Sequence, residues 1–139
     1  MTTPTVPITL TERDLQTLRE LVARNVTTRD AEAAELLEVE IERARVVGDQ
    51  DAPRDLVTLG SRVEFVDVRS GRSRVVQLVL PEEAAAGAGR VSVLAPIGAA
   101  LLGLSVGQSI EWPLPNGTTA NVKVVAVDQG AADDLREAS

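Results

Sequence analysis

The chain has 139 residues, 44% of them apolar and 25% charged, with a formal net charge of −7 and with Trp112 and Phe65 as its only aromatics. It holds neither cysteine nor histidine, which removes disulfides, thiolate nucleophiles, the usual zinc sites and imidazole general bases, while the acidic balance argues against direct binding of nucleic acid. This length suits one ordinary domain, or a small domain with an appendage, whose interior must be filled by Val, Leu, Ile and Ala.

Met1 to Leu10 has no basic n-region, and no later stretch approaches the ~20 apolar residues of a membrane helix. A soluble, cytoplasmic protein is expected. The first periodic segment starts at Thr11, an N-cap type followed by the acids Glu12 and Asp14, and carries apolar residues at positions 15, 18, 21 and 22. A short amphipathic helix is predicted. Residues 24–28 break the pattern, and Thr27 or Thr28 is expected to cap a second helix over residues 29–47, with Ala34, Leu37, Ile41 and Ala44 at heptad-like spacing.

Two such helices joined by so short a turn should fold back as an antiparallel hairpin, each apolar stripe covering the other. The first helix limits the paired length to about 18 Å at the helical rise. Along the second, Glu32, Glu35, Glu38, Glu40 and Glu42 form an acidic run, which is either a solvated face or a surface for a basic partner.

Gly48-Asp49-Gln50-Asp51-Ala52-Pro53 is polar, with a breaker at each end, and separates segments of different period. The expected division is a helical arm over residues 1–52, a sheet domain over residues 53–129 and an acidic flexible tail over residues 130–139. Residues 1–55 hold 12 acidic and 7 basic side chains, so most of the negative charge lies in the arm.

Beyond the linker the period is that of strands. Arg62 to Phe65 alternates, Ser70-Gly71 reads as a hairpin turn, and Arg74 to Leu80 supplies a partner ending at Pro81. Residues 82–89 are rich in Ala and Gly and are expected to be a mobile connection. Val91 to Leu94 reads as a strand, Pro96 to Leu102 as a short helix with Pro in its first turn, and Gly103 as its stop. Ser109 to Leu114 and Thr118 to Val127 flank Pro115-Asn116-Gly117, the strongest hairpin signal in the chain. The fold class is therefore α+β: a short antiparallel helical hairpin, then a small antiparallel sheet with one short helix across a face. The run Gly98 to Ser105 has the glycine frame of a phosphate loop, but it lacks the Lys and puts Leu-Leu inside, so it is read as an apolar plug.

Residues 93–117, with Ala95-Pro96-Ile97-Gly98 and Trp112-Pro113-Leu114-Pro115-Asn116-Gly117, resemble the C-terminal block of the Gre transcript-cleavage factors and, more closely, of the Rnk family, Gre-like proteins called regulators of nucleoside diphosphate kinase. Asp55-Leu56-Val57-Thr58-Leu59-Gly60-Ser61-Arg62-Val63 is similar to the Rnk signature that opens the sheet domain, and the shortened hairpin in front also fits. The resemblance covers about residues 8–128. It implies an FKBP-like C-terminal domain and transcription regulation in bacteria by binding RNA polymerase at the rim of its secondary channel, with the arm pointing into the channel.

In Gre factors the contact is a Ser-Pro pair before the short helix, so the resemblance implies a polymerase-binding patch of Ala95, Pro96 and Ile97. The proline is kept and the hydroxyl is lost. The same residues would serve equally as a helix start that closes the core. Gre-type cleavage needs two carboxylates at the arm tip to help hold a second Mg²⁺. The tip residues here are Thr28, Asp30 and Glu32, and the i, i+2 spacing of the acids places them on different sides of a helix. Asp30 also fits a plain helix-start acid.

The expectation is competition with Gre factors for one site, without stimulated cleavage, without metal or cofactor, and as a monomer. One alternative is an adaptor that offers the arm to another partner as a helix in a groove. Another is FKBP-type peptidyl-prolyl isomerisation, an enzyme reading which needs a pocket walled by more aromatics than this chain has.

Overall fold

The computed structural model describes residues 7–84, 89–114 and 116–129. The expected tail over residues 130–139 lies outside these, as do residues 1–6 and Pro115.

The chain enters as a strand, β1 (Thr9–Thr11), that the sequence reading does not anticipate, and passes directly into α1 (Glu12–Arg24). Thr11 caps the helix as expected: its Oγ1 accepts the Asp14 N–H at 3.1 Å, satisfying one of the amides that a helix start leaves unpaired. A second cap comes from far along the chain. Asp49, in a single 3-10 turn (Asp49–Asp51), accepts the Arg13 N–H at 3.0 Å, so the polar linker is tied to the arm rather than hanging free.

The second helix, α2 (Ala31–Arg43), is shorter than expected at both ends. Thr28 does not cap it. Asp30 occupies the N-cap position without a side-chain hydrogen bond, while the Thr28 hydroxyl donates to Asn25 Oδ1 at 2.9 Å and accepts the Asp30 N–H at 3.1 Å. The helix ends at Arg43 because Arg45–Val47 forms β2 and pairs in parallel with β1, Thr9 opposite Arg45 and Thr11 opposite Val47. Period alone cannot reveal this, since Val46 and Val47 continue the apolar pattern while their β-branching suits a strand.

The two helices pack as the expected hairpin. Leu18, Leu21 and Val22 of α1 and Ala34, Leu37 and Ile41 of α2 are buried, and the helices meet chiefly each other and the β1–β2 pair. Burying a Leu fully contributes about 1.5–3 kcal/mol, so these six side chains are enough to hold two short helices that would be marginal alone.

The sheet domain holds β3 (Arg62–Asp67), β4 (Ser73–Val79), a short helix α3 (Pro81–Ala84), β5 (Arg90–Ser92), α4 (Pro96–Leu101), β6 (Ser109–Pro113) and β7 (Thr119–Asp128). Strand order is β5-β4-β3-β7-β6. The α+β arrangement is the expected one, with a correction in the sheet: β5 lies parallel to β4, Gln77 opposite Arg90 and Val79 opposite Ser92, so the sheet is mixed rather than antiparallel. The connection expected to be mobile over residues 82–89 begins within α3, and the stretch from β4 to β5 carries the chain back so that the two strands run in the same direction. Residues 85–88 of that connection lie outside the described ones. A register shift between Glu64 and Phe65 against β7 leaves Val125 without an opposite residue, a bulge that bends the sheet.

Inward residues Val63, Phe65, Val76, Leu78, Val122 and Val124 meet Leu101, Leu104, Ile110 and Trp112 in one cluster, which continues through Ile8 and Leu10 to the buried residues of the hairpin. Gly98 explains how α4 can lie so close to the sheet. A Cβ there would sit 2.0 Å from the Ser92 carbonyl oxygen, so any larger residue would collide with backbone.

Candidate functional site

Two places answer to the expected site residues: the turn between α1 and α2, and the start of α4. At the turn, α1 stops at Asn25, whose backbone N–H reaches Val22 O at 3.0 Å and whose Nδ2 donates to Leu21 O at 2.8 Å. Thr28 then closes the loop onto Asn25, and the Ala31 N–H donates to Thr28 O at 3.1 Å. The tip is thus a turn braced by Asn25 and Thr28, which bond its backbone and each other.

Thr28 and Glu32 are exposed and Asp30 is half-buried. Val26, on the same turn, is 63% exposed, a large apolar side chain with no core to join. Among the described residues no group of three or more acids, at the tip or elsewhere, could hold a metal ion. Along α2 the acidic run divides. Glu32, Glu35, Glu38 and Glu42 are exposed, whereas Glu40 is buried and accepts from Arg43 Nε at 2.8 Å, with a second contact from the same guanidinium. The exposed four recur at helical spacing, so they form one solvent-facing ridge.

At the start of α4, Ala95 takes the N-cap position in extended conformation, without a side-chain cap, and Pro96 supplies the first helical residue. The turn into the helix is held from behind: the Leu94 N–H donates to Ser92 Oγ at 3.0 Å and the Ala95 N–H to Ser92 O at 3.0 Å. Ala95, Pro96 and Ile97 are half-buried, and Ile97 packs against the core. Of the three, Ala95 and Pro96 are the ones that do not also belong to the packed interior. The phosphate-loop frame after them is an apolar plug, with Leu101, Leu102 and Leu104 buried. Both aromatics, Phe65 and Trp112, are likewise spent in the core.

The arm and the sheet domain are joined by residues that sequence reading passes over. Asp14, 5% exposed, accepts the Leu59 N–H at 3.0 Å from the segment before β3. The Thr9 N–H donates to Gly103 O, the Gly103 N–H to Val57 O and the Val57 N–H to Leu104 O. Gly103, at φ +79°, has Ile8 Cβ 2.9 Å from where its own Cβ would be. The stop signal of α4 is therefore also the seat of the arm's root. The sequence signal for this was partial: an acid three residues after a capping Thr marks a helix start, not its long-range partner.

The Rnk N-terminus profile matches residues 7–47. The GreA/GreB transcription elongation factor C-terminal profile matches residues 50–129. The chain is 41% identical over 95 residues to the regulator of nucleoside diphosphate kinase of Escherichia coli (strain K12), covering 68% of this chain and 70% of that protein. It is 33% identical over 93 residues to the transcription elongation factor GreA of Syntrophomonas wolfei, covering 67% of this chain and 58% of that one. Among solved structures, the transcription elongation factor GreA/GreB from Nitrosomonas europaea superposes with a TM-score of 0.68 at 33% identity, over 89% of this chain and 99% of that one. A hairpin matching the Rnk N-terminus, seated on a mixed sheet with the GreA/GreB C-terminal pattern, makes the chain a member of the Gre transcription factor family, in its Rnk branch.

Proposed function

We propose that this chain is a transcription regulator that docks on bacterial RNA polymerase at the rim of the secondary channel and competes there with Gre factors, without stimulating transcript cleavage. The observation that carries this reading is the pairing of a short, closed helical hairpin with a separate surface at the start of α4. Ala95 and Pro96, framed by Ser92 and offering no side-chain cap of their own, make the base contact, with Ile97 fixing them from the core. The arm then occupies the channel. Its helices have 13 residues each, about 20 Å at the helical rise, and its exposed ridge of Glu32, Glu35, Glu38 and Glu42 meets a basic lining.

The tip chemistry supports the reading without cleavage. Two carboxylates must converge on one ion to hold it, whereas Asp30 sits outside the first turn of α2 and Glu32 lies within it. Thr28 braces the turn instead of presenting a ligand. The protein acts by occupancy.

The test is a binding competition on core polymerase between this chain and a labelled GreA, paired with a cleavage assay on stalled elongation complexes. Displacement of GreA together with no shortening of the transcript is the expected result. Simultaneous binding of both proteins would remove the shared site, and co-purification of a different protein in place of polymerase would favour an adaptor role.

A further inference from the structure

The edge of β4 that has no described strand beside it lies apart from both of these surfaces. β5 covers only Gln77–Val79, while β4 begins at Ser73, so the first half of the strand has β3 on one side and no described strand on the other. The direction of its backbone groups follows from the pairing. The Asp67 N–H donates to Arg72 O at 2.8 Å and the Gln77 N–H to Gly89 O at 2.7 Å. Residues 72, 74 and 76 therefore turn their backbone groups to β3, and Ser73 and Val75 turn theirs, like Gln77, to the opposite edge. An edge of this kind is a ready template for another strand.

Its side chains restrict what can pair there. Residues 67–75 are all exposed, and Val75 is 54% exposed. Arg69, Arg72 and Arg74 lie in this one hairpin of a chain whose net charge is −7, and no described residue forms a salt bridge with them. Arg74 is set over the Phe65 ring, 5.9 Å from its centroid. The hairpin's own acid, Asp67, uses Oδ1 to accept the N–H groups of Arg69 and Ser70, and Glu64 lies opposite Val75 on the other face. Alternation puts Arg72 and Arg74 on one face of the edge and Ser73 and Val75 on the other. A second copy pairing antiparallel here would bring its own arginines against these, and like charges opposite one another are destabilising. The same charges favour an anionic strand.

We propose that residues 73–76 accept an extended acidic segment of a partner protein as an added strand. Main-chain hydrogen bonds form to Ser73 and Val75, carboxylates lie along Arg72 and Arg74, and an apolar side chain packs beside Val75. This is a second contact surface, and it does not depend on the polymerase reading.

The full chain, titrated into a fluorescein-labelled peptide of alternating Glu and Val at low salt, tests it by anisotropy. Binding should weaken about tenfold for the Arg72→Glu, Arg74→Glu double variant and should fade with added salt. It should also weaken about tenfold for Val75→Pro, which removes the outward N–H but keeps the ladder to β3. The peptide should slow hydrogen exchange at the Ser73 and Val75 amides of the unaltered chain, a readout that does not require either variant to fold. A peptide of alternating Lys and Val should not bind. The proposal is overturned by no anisotropy change, by unslowed exchange at both amides, by self-association through this edge, or by an oligothymidine strand binding as tightly and unaffected by Val75→Pro.

Discussion

A methyl group added at position 98 would lie 2.0 Å from the Ser92 carbonyl oxygen, whereas one added at position 71 would meet nothing within 4 Å and face only a backbone strained at φ +73°. The two glycines are therefore needed for different reasons. Gly98→Ala should lower the unfolding free energy by at least about 2 kcal/mol, since overpacking against backbone has little room to relax. Gly71→Ala should cost only about 1–2 kcal/mol of left-handed strain. Parallel urea titrations check both, and equal losses would contradict the close approach of α4 to β5. Asp14 is the other residue on which local geometry turns. Asp14→Asn should cost about 1–3 kcal/mol, because a buried, charge-assisted acceptor for the Leu59 N–H is replaced by a weaker one. Hydrogen exchange at Leu59 should rise with it; unchanged exchange there would show that the carboxylate does not hold the joint.

At the scale of elements, the hairpin depends on small side chains where the helices meet. Ala34 is 1% exposed and faces α1 across the stripe formed by Leu18, Leu21 and Val22, so Ala34→Leu should force the helices apart. The expected cost is about 1–3 kcal/mol, read as a lower midpoint in thermal melting followed by far-UV circular dichroism. The length of α2 shows what element-level reading can and cannot find. Its apolar stripe was legible because Ala34, Leu37 and Ile41 recur at helical period, but its end was not, because the Arg45–Val47 strand exists only through pairing with β1. The sheet repeats this lesson. The strands at residues 62–65 and 74–80 were readable from alternation, while the parallel placement of β5 depended on where the 80–89 connection carries the chain.

For the whole molecule, the proposed docking separates two kinds of residue at the start of α4. Ala95→Glu with Pro96→Glu should weaken polymerase binding by more than tenfold, as charges placed in a contact do, and leave the unfolding midpoint nearly unchanged. Ile97→Glu should lower both binding and stability, since Ile97 packs on the core. If the first pair unfolded the protein and left residual binding intact, the patch would belong to the interior alone. Composition by itself determined that chemistry based on cysteine or histidine is impossible here, and periodicity determined an amphipathic hairpin ahead of a strand-rich domain. The turn between the helices and the Pro96 helix start were legible in the chain, but their standing as site residues came only from the resemblance to Gre factors. Tertiary structure alone decided that Asp14, Gly103 and Leu59 lock the arm to its base, that Asp49 reaches back from the linker to the start of α1, and that β5 pairs with only the second half of β4. The physical reason is that hydrophobic period is a local property of the chain, whereas the Asp14–Leu59, Asp49–Arg13 and Gly103–Thr9 contacts pair groups distant in sequence, fixed only when packing brings their backbones together.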